Sequence, residues 1–218
     1  SIRINTDPYT MERVDELFMY FKEKGWFQYK NFKPYCALLR KEVPIKGEGE
    51  DFSKKMFAQS EFFRTFSEKG LKEESGGVFM CQDFDVQSIL NRLLLGKAVR
   101  YKSCFCGAQT GSLIFDPFGD IYSCWDVVGQ REQRVGYYIP NFTLEKELAD
   151  KWFNSRISEH KCANCKYVFF CGGGCLANAM RLTGKLQSGK CNDFPRLFKY
   201  VIQQLYNEKI KRGIDDED

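Results

Sequence analysis

The first seventy residues alternate between strand-like and helix-like apolar patterns. Residues 1–6 predict a β-strand, and the pair Asp7-Pro8 is a favourable start for a helix whose apolar residues then recur at helical spacing. Residues 28–39 predict a second strand, which Pro34 either breaks or places at a sheet edge. A second amphipathic helix is predicted between Phe52 and Phe66. The order strand–helix–strand–helix is typical of parallel βα units, here the tail of a barrel or open sheet whose earlier units are absent.

The apolar pattern changes character after the next predicted helix. That helix carries apolar residues from Val86 to Leu94, and Asp85 can cap it. Two short apolar runs then flank the segment Asp116–Asp120. Pro and Gly in a short polar insert between apolar runs predict a β-hairpin turn. A helical stripe from Phe194 to Leu205 predicts a C-terminal helix.

Length and composition limit the classes of protein to consider. The chain has 218 residues, 16% aromatic residues and a formal net charge of +4. We predict an α+β fold with two domains, a βα domain over residues 1–96 and a second domain over residues 97–218. The mild charge does not indicate a nucleic-acid partner, and no signal peptide or long apolar run indicates secretion or a membrane span. We therefore expect a cytoplasmic protein, and its opening on a strand without an initiator Met suggests a C-terminal piece of a longer one.

Five of the ten cysteines lie in one stretch near the C-terminus. Their spacing is CxxC, five residues, CxxxC and then a gap, formed by Cys162, Cys165, Cys171, Cys175 and Cys191. A two-residue spacer lets a turn direct both sulfurs of a CxxC pair toward one centre, and soft thiolates select zinc, Cu(I) or iron–sulfur clusters. Clustered cysteines in a cytosolic chain indicate metal ligands before disulfides. Five thiolates are one too many for a single four-cysteine site, so at least one serves a second centre or is a bystander.

The predicted hairpin adds cysteines at a defined spacing. Cys106 is followed by twelve residues, Gly119, four residues and Cys124, and Cys104 lies just before this run. Together with the later stretch, the pattern resembles the SPASM domain, the C-terminal extension of many radical S-adenosylmethionine (SAM) peptide and protein maturases. The resemblance covers roughly residues 97–195. It implies that the first domain is the C-terminal part of a partial (β/α) barrel, and that the second is a SPASM domain with a β-hairpin and a C-terminal helix.

The resemblance also implies two auxiliary 4Fe–4S clusters. The ligands of the second cluster would be Cys162, Cys165, Cys171 and Cys191. Those of the first would be Cys106, Cys124 and Cys175. Cys104 is the candidate for a fourth ligand of the first cluster, although that site can also stay open for substrate. No catalytic acid, base or nucleophile is predicted in this chain.

The remaining cofactors and partners also come from the resemblance. The CxxxCxxC motif that binds the SAM cluster in this family is absent from the chain. SAM and a third 4Fe–4S cluster would therefore be bound only through an N-terminal half, and this chain alone is not expected to cleave SAM. The partners would be a peptide or protein substrate and an electron donor such as flavodoxin or ferredoxin.

Residues around the cysteines suggest how a cluster would be tuned. Gly172, Gly173 and Gly174 would bring backbone N–H groups close to the thiolates, and such donors raise a cluster's reduction potential. Four aromatic residues are expected to exclude water around the clusters: Trp125, Tyr167, Phe169 and Phe170. A phosphate-binding role for the glycines is not indicated, because no Lys-Ser or Lys-Thr follows them.

Other noticeable residues have simpler interpretations. Cys36 and Cys81 are expected to be small buried apolar residues. His160, the only histidine, is expected to lie at the surface beside the site. Trp26 and Trp152 are interpreted as core residues.

Two alternative functions remain open at the level of sequence. A structural or interaction module could hold zinc with four thiolates, although zinc ribbons usually pair two CxxC elements and this chain has one. Zinc can also occupy these thiolates in aerobically purified protein. A stand-alone iron–sulfur electron carrier is the other alternative, and the large aromatic βα segment argues against it.

Overall fold

The computed structural model describes residues 1–39, 57–82, 86–159, 161–189, 191 and 193–215. The chain divides into two compact units. The first contains Ser1–Val99 and the chain from Asp193 onward, and the second contains Arg100–Asn192. The mixture of helix and sheet confirms the α+β class at the coarse level. No helix among the described residues is long and apolar enough to cross a membrane.

The first unit is built around a parallel sheet. Its elements are β1 Ile2–Thr6, α1 Pro8–Glu12, α2 Val14–Glu23, β2 Pro34–Leu38, α3 Gln59–Glu68, α4 Leu71–Glu74, β3 Met80–Cys81, α5 Val86–Leu94 and α9 Phe194–Asp215. The strands lie in the order β1-β2-β3, and both pairings are parallel. Parallel neighbours need a crossover connection, and α1 with α2 provides it between β1 and β2. The predicted strand–helix–strand order is confirmed here.

Two details of the predicted second strand are wrong. The strand begins only at Pro34, and it is the middle strand of the described sheet, with β1 on one side and β3 on the other. Proline is tolerated there because it occupies the first position of a strand. The aromatic residues before it form a separate cluster, in which Trp26 stacks on Phe21 at 5.6 Å between ring centroids and Phe32 contacts both rings. Their aromatic character therefore reflects side-chain packing and not a longer strand.

Aromatic side chains from the helices and from Phe79, the residue before β3, form the core of the first unit. Phe18, Phe62, Phe66 and Phe79 are each at most 2% exposed, and burial of one such side chain contributes about 1.5–3 kcal/mol. The predicted cap is confirmed, because the Asp7 carboxylate accepts a hydrogen bond from the Thr10 backbone N–H at 2.7 Å. The predicted cap Asp85, and Phe52 and Met56 of the predicted second helix, lie outside the described residues.

The C-terminal helix packs within the first unit. The Ser60 hydroxyl donates to the Asp193 carboxylate, and the Phe63 and Tyr200 rings meet at 6.1 Å between centroids. The helix itself is confirmed, but the compact units place it with the βα elements, whereas the predicted second domain ran to residue 218. The assignment of residues 1–96 and 97–218 to two domains with different functions remains a prediction.

The second unit combines a small antiparallel sheet with short helices. Its elements are β4 Ile114–Phe115, β5 Asp120–Tyr122, β6 Gly136–Tyr137, β7 Thr143–Leu144, α6 Lys146–Phe153, α7 Val168–Cys171 and α8 Leu176–Thr183. The strands lie in the order β4-β5-β6-β7. The predicted hairpin is confirmed, and the Asp116 carboxylate holds its turn by accepting hydrogen bonds from the Phe118 and Asp120 backbone N–H groups at 2.9 Å each.

The hairpin turn and the core of this unit are tightly fixed. Gly119 adopts φ of +99°, and a Cβ atom there would approach Ile139 at 3.1 Å. Both constraints favour glycine at this position. The core beneath the sheet contains Ile121, Tyr122, Val127, Val135, Trp152 and Leu176, each at most 2% exposed.

Candidate metal centre

All eight predicted ligands lie in the second unit, and three of them form a first cysteine group: Cys106, Cys124 and Cys175. Cys106 precedes a short turn, Cys124 follows β5, and Cys175 is the N-cap residue of α8. Burial raises the pKa of the Cys124 thiol to about 11, the Asp126 backbone N–H opposes this, and the charges of Cys175 and Cys106 raise it further. The Cys124 sulfur is therefore close enough to those of Cys175 and Cys106 to interact with each electrostatically. At the N-cap of α8, the positive end of the helix dipole favours negative charge.

Four further cysteines form a second group: Cys162, Cys165, Cys171 and Cys191. The CxxC pair forms the expected turn, because the Cys165 backbone N–H donates to the Cys162 carbonyl at 2.9 Å. Burial raises the pKa of the Cys162 thiol, and the charges of Cys165 and Cys191 add to it. The pKa of Cys171 is also raised, first by burial and then by Cys191 and Cys162. These electrostatic contacts link all four thiols.

Backbone donors reach the second group from the glycine run. The backbone N–H groups of Gly173 and Gly174 donate to the Cys171 sulfur, and both lower its pKa against the effect of burial. The Cys162 thiol in turn donates to the Gly173 carbonyl over 3.9 Å. The predicted supply of N–H donors therefore exists at Gly173 and Gly174, in a direction that stabilises a thiolate.

Gly172 has a different role, which is steric. It ends α7 in the left-handed conformation with φ of +78°, and a Cβ atom there would approach the Cys104 carbonyl oxygen to 2.5 Å. The chain around Cys104 thus lies directly against the glycine run. The Lys102 backbone N–H extends this contact by donating to the Phe169 carbonyl at 2.7 Å. This brings the backbone of Cys104 close to Cys171, while a ligand role for its half-buried thiol remains a prediction.

The two groups are neighbourhoods of thiols and not closed single-ion sites. Among the described residues, no three His, Cys, Asp or Glu side chains are arranged to hold one metal ion. A 4Fe–4S cluster distributes its four thiolates over four separate iron atoms, so its ligands stand farther apart than those around a single zinc ion.

The predicted aromatic shield is only partly present. Trp125 is 79% exposed and Phe169 is 57% exposed, so neither excludes water, which corrects the expectation for these two residues. Trp125 lies in the short turn after Cys124, where Val127 is the buried residue. Phe169 lies in α7, where Val168 is the buried residue. Tyr167 and Phe170 are half-buried.

Cys36 and Trp152 are buried as expected, whereas Cys81 and Trp26 are only half-buried. Cys36 is fully buried, and burial raises the pKa of its thiol to about 11. Cys81 is half-buried and pairs with Cys36 in the register of β2 and β3. Trp152 is 2% exposed, as expected for a core residue. His160 lies outside the described residues.

Arg181 is one site residue that the sequence did not indicate. Its guanidinium donates to the Asp126 backbone carbonyl, lies 3.9 Å from the Asp126 carboxylate, and is 15% exposed. The same Asp126 donates its backbone N–H to Cys124. Arg181 therefore holds the turn that carries one ligand of the first group, a pairing across 55 residues that no local pattern could reveal.

A cavity of about 270 Å³ also lies within the second unit. Leu148, Trp152, Met180 and Leu186 form its apolar side, and Lys151 and Lys185 line its edge. None of its lining residues is a cysteine, so it is separate from both thiol groups.

No protein-family model and no curated protein sequence matches this chain. Solved structures do match. Polyhistidine-tagged anSMEcpe with bound AdoMet has a TM-score of 0.61 and 21% identity, over 95% of this chain and 54% of that one. Native anSMEcpe with bound AdoMet and Kp18Cys peptide gives 0.60 and 21%, over 95% and 56%. The chain therefore spans little more than half the length of these structures, and at this identity the similarity shows a shared fold.

Proposed function

We propose that this chain is the C-terminal, auxiliary-cluster part of a radical SAM enzyme that modifies a peptide or protein. In this proposal the parallel sheet of β1, β2 and β3 is the end of a partial (β/α) barrel, and the second unit is a SPASM domain. Cytoplasmic localisation belongs to the same proposal, because clustered thiolates require a reducing compartment.

One observation carries the proposal, namely the division of the thiols into two groups. The spacing resemblance assigns Cys106, Cys124 and Cys175 to one cluster, and the Cys124 thiol interacts electrostatically with the other two. It assigns Cys162, Cys165, Cys171 and Cys191 to the other, and these are linked in the same way. By position in the chain, Cys175 would be grouped with its neighbour Cys171. Its link to Cys124 is therefore not explained by sequence proximity.

The residues present fit two iron–sulfur clusters. Thiolates are the ligands that such clusters prefer, and backbone N–H donors to the sulfurs adjust the reduction potential. Clusters bound there would supply single-electron transfer. This chain's own residues would hold each thiolate in place: the Asp126 N–H at Cys124, and the Gly173 and Gly174 N–H groups at Cys171.

The structural neighbours support the substrate class. anSMEcpe, an anaerobic sulfatase-maturating enzyme, has been solved with AdoMet and with the Kp18Cys and Cp18Cys peptides. We propose by this similarity that the complete protein also acts on a peptide or protein chain with SAM as cofactor. The SAM-binding half would lie in the part of the fold that this chain does not span.

Metal analysis of anaerobically reconstituted protein tests the proposal. Two 4Fe–4S clusters predict about eight iron and eight sulfide per chain, with the absorption and EPR signals of such clusters. Fewer than about four iron after full reconstitution would contradict it. Zinc in an aerobically purified, colourless sample would not distinguish a cluster site from a zinc module. The iron content of the reconstituted sample would decide between these two interpretations.

Single substitutions test the two groups separately. Cys124→Ala and Cys171→Ala should each remove about four iron, and the double variant about eight. Cys36→Ala is the matched control, because Cys36 is a buried thiol outside both groups, and it should retain the full iron content. If Cys124→Ala and Cys171→Ala removed the same cluster, the proposed grouping would be wrong.

A further inference from the structure

A basic and aromatic face borders the second cysteine group. We define the basic face as Arg100, Tyr101, Lys161, Lys166 and Phe169. Its three cationic side chains are exposed, and its two rings are 68% exposed for Tyr101 and 57% for Phe169. Large aromatic surfaces exposed beside a candidate cofactor site are typical of contact surfaces.

Several contacts hold the two segments of this face together. Tyr101 packs on Phe170 at 5.8 Å between ring centroids, and the next residue along the chain, Lys102, donates its backbone N–H to the Phe169 carbonyl. Lys161 and Lys166 flank the CxxC pair directly in sequence, and the Lys166 ammonium lies 5.4 Å from the Tyr167 ring centroid. Lys161 and Lys166 therefore flank the turn that carries Cys162 and Cys165.

Acidic residues are sparse in the sequence around this face. The sequence contains no Asp or Glu between residues 86 and 115 or between residues 161 and 192. Within the part of the chain that the structure describes, no carboxylate forms an ion pair with Arg100, Lys161 or Lys166. The chain as a whole carries only a mild excess of +4, so this is a local concentration of positive charge.

We propose that the basic face is the docking surface for an acidic protein that exchanges single electrons with the second cysteine group. This inference rests on the proposed function. Complementary charge accelerates encounter between protein partners, and exposed aromatic rings provide apolar contact at low entropic cost. One electron passes from the reduced partner to the oxidised centre, and no covalent bond forms or breaks. The competing explanation is that the cations only balance the negative charge of a thiolate-bound cluster.

Stopped-flow reduction by an acidic flavodoxin tests the inference on reconstituted protein. Removing two charges from the face with Lys161→Gln/Lys166→Gln should lower the second-order rate at low salt about fivefold, and salt should slow the unaltered protein about tenfold between about 50 and 500 mM. The matched control is Lys151→Gln/Lys185→Gln, which removes two exposed lysines from the same unit beside the cavity and should keep the rate within about twofold. Reduction by dithionite should be equal in all three proteins.

The results separate this inference from the proposed function. Equal flavodoxin rates for both double variants, or a midpoint potential that shifts in Lys161→Gln/Lys166→Gln without any loss of salt dependence, would overturn the docking surface while the clusters remain. Absence of iron would overturn the proposed function. In that case, titration of oxidised flavodoxin onto the unaltered and variant proteins would still decide whether the face binds an acidic protein.

Discussion

Gly172 is subject to two constraints that can be separated by experiment. Its φ of +78° strains any other residue, and its missing side chain leaves room for the Cys104 backbone. We predict that Gly172→Ala separates this chain segment from the glycine run and lowers the iron retained by the second group. Gly184 provides the control, because it ends α8 at φ of +72° with nothing within 4 Å of a Cβ atom.

Gly184→Ala should therefore cost only the backbone strain, about 1 kcal/mol, and should retain the full iron content. Iron and sulfide analysis and urea unfolding of the two variants, prepared side by side, make the comparison. Equal effects of the two substitutions would mean that the close approach to Cys104 has no importance.

Arg181 is predicted to tune the first cysteine group through Asp126. Without its guanidinium, the turn after Cys124 loses both an anchor and a nearby positive charge, so the N–H donor to the sulfur is held less firmly. Because such donors raise a cluster's potential, Arg181→Met should shift the midpoint potential of the first centre to a more negative value. Redox titration followed by EPR measures this shift.

The second centre serves as an internal reference in the same Arg181→Met sample, and Arg131→Met, an exposed arginine in the same unit, serves as the external control. Arg181→Lys keeps the charge but not the planar guanidinium that donates to the Asp126 carbonyl, so an intermediate potential is expected. A potential that moves equally at both centres would contradict the role assigned to Arg181.

At the scale of elements, the predictions were most accurate where apolar residues recur at a clear spacing or flank a clear turn sequence. The helix start at Asp7, the hairpin at Asp116–Asp120 and the C-terminal helix all follow from local signals that tertiary packing did not override. The failures are long-range. Phe32 is included in the predicted second strand because aromatic residues favour strands, yet its ring packs on Phe21 and Trp26 before the strand begins. The two thiol sets implied by the family resemblance remain a prediction, and nothing local could reveal that Arg181 contacts Asp126.

The start of α1 gives a prediction about stability and pH. The hydrogen bonds from the Thr10 side chain and backbone lower the pKa of Asp7. A carboxyl group whose pKa is lower in the folded state adds stability above its unfolded pKa of about 3.9, and this stability is lost as the pH falls through the folded value. Asp7→Ala should therefore cost about 1 kcal/mol at pH 7 and less under acidic conditions.

Urea unfolding at pH 7 and at acidic pH measures the effect of Asp7→Ala. Asp7→Ser is the matched control, because serine also accepts at the N-cap but does not titrate in this range. The difference in free energy of unfolding between Asp7→Ser and the unaltered protein should therefore depend on pH. The hydrogen bond that the serine accepts at the N-cap should persist at both pH values. An Asp7→Ala cost that is independent of pH would show that the carboxylate charge contributes nothing to the cap.

For the whole molecule, the two units differ in what could stabilise them. The first has large buried phenylalanines and contains none of the eight predicted ligands. The second has strands of two or three residues and many turns, and its cysteines join segments that are distant in the chain: residues 104–106, 124, 162–175 and 191. Metal binding contributes folding free energy when it joins segments that are separate in the unfolded chain. If the proposed clusters bind there, the second unit should depend on them for its stability, and the first should not.

Hydrogen exchange measured by mass spectrometry tests this dependence on reconstituted and metal-free protein. Removing iron should increase exchange in peptides around Cys104, Cys162–Cys175 and the hairpin. Protection should remain in β2 and α3, which contribute Cys36, Leu38, Phe62 and Phe66 to a core that needs no metal. The Cys124→Ala variant gives a graded case, in which exchange should rise near the first group while the CxxC turn stays protected by the second. Equal loss of protection in both units would mean that the clusters stabilise the chain as one cooperative body, because selective loss requires the first unit to be stabilised by its own core.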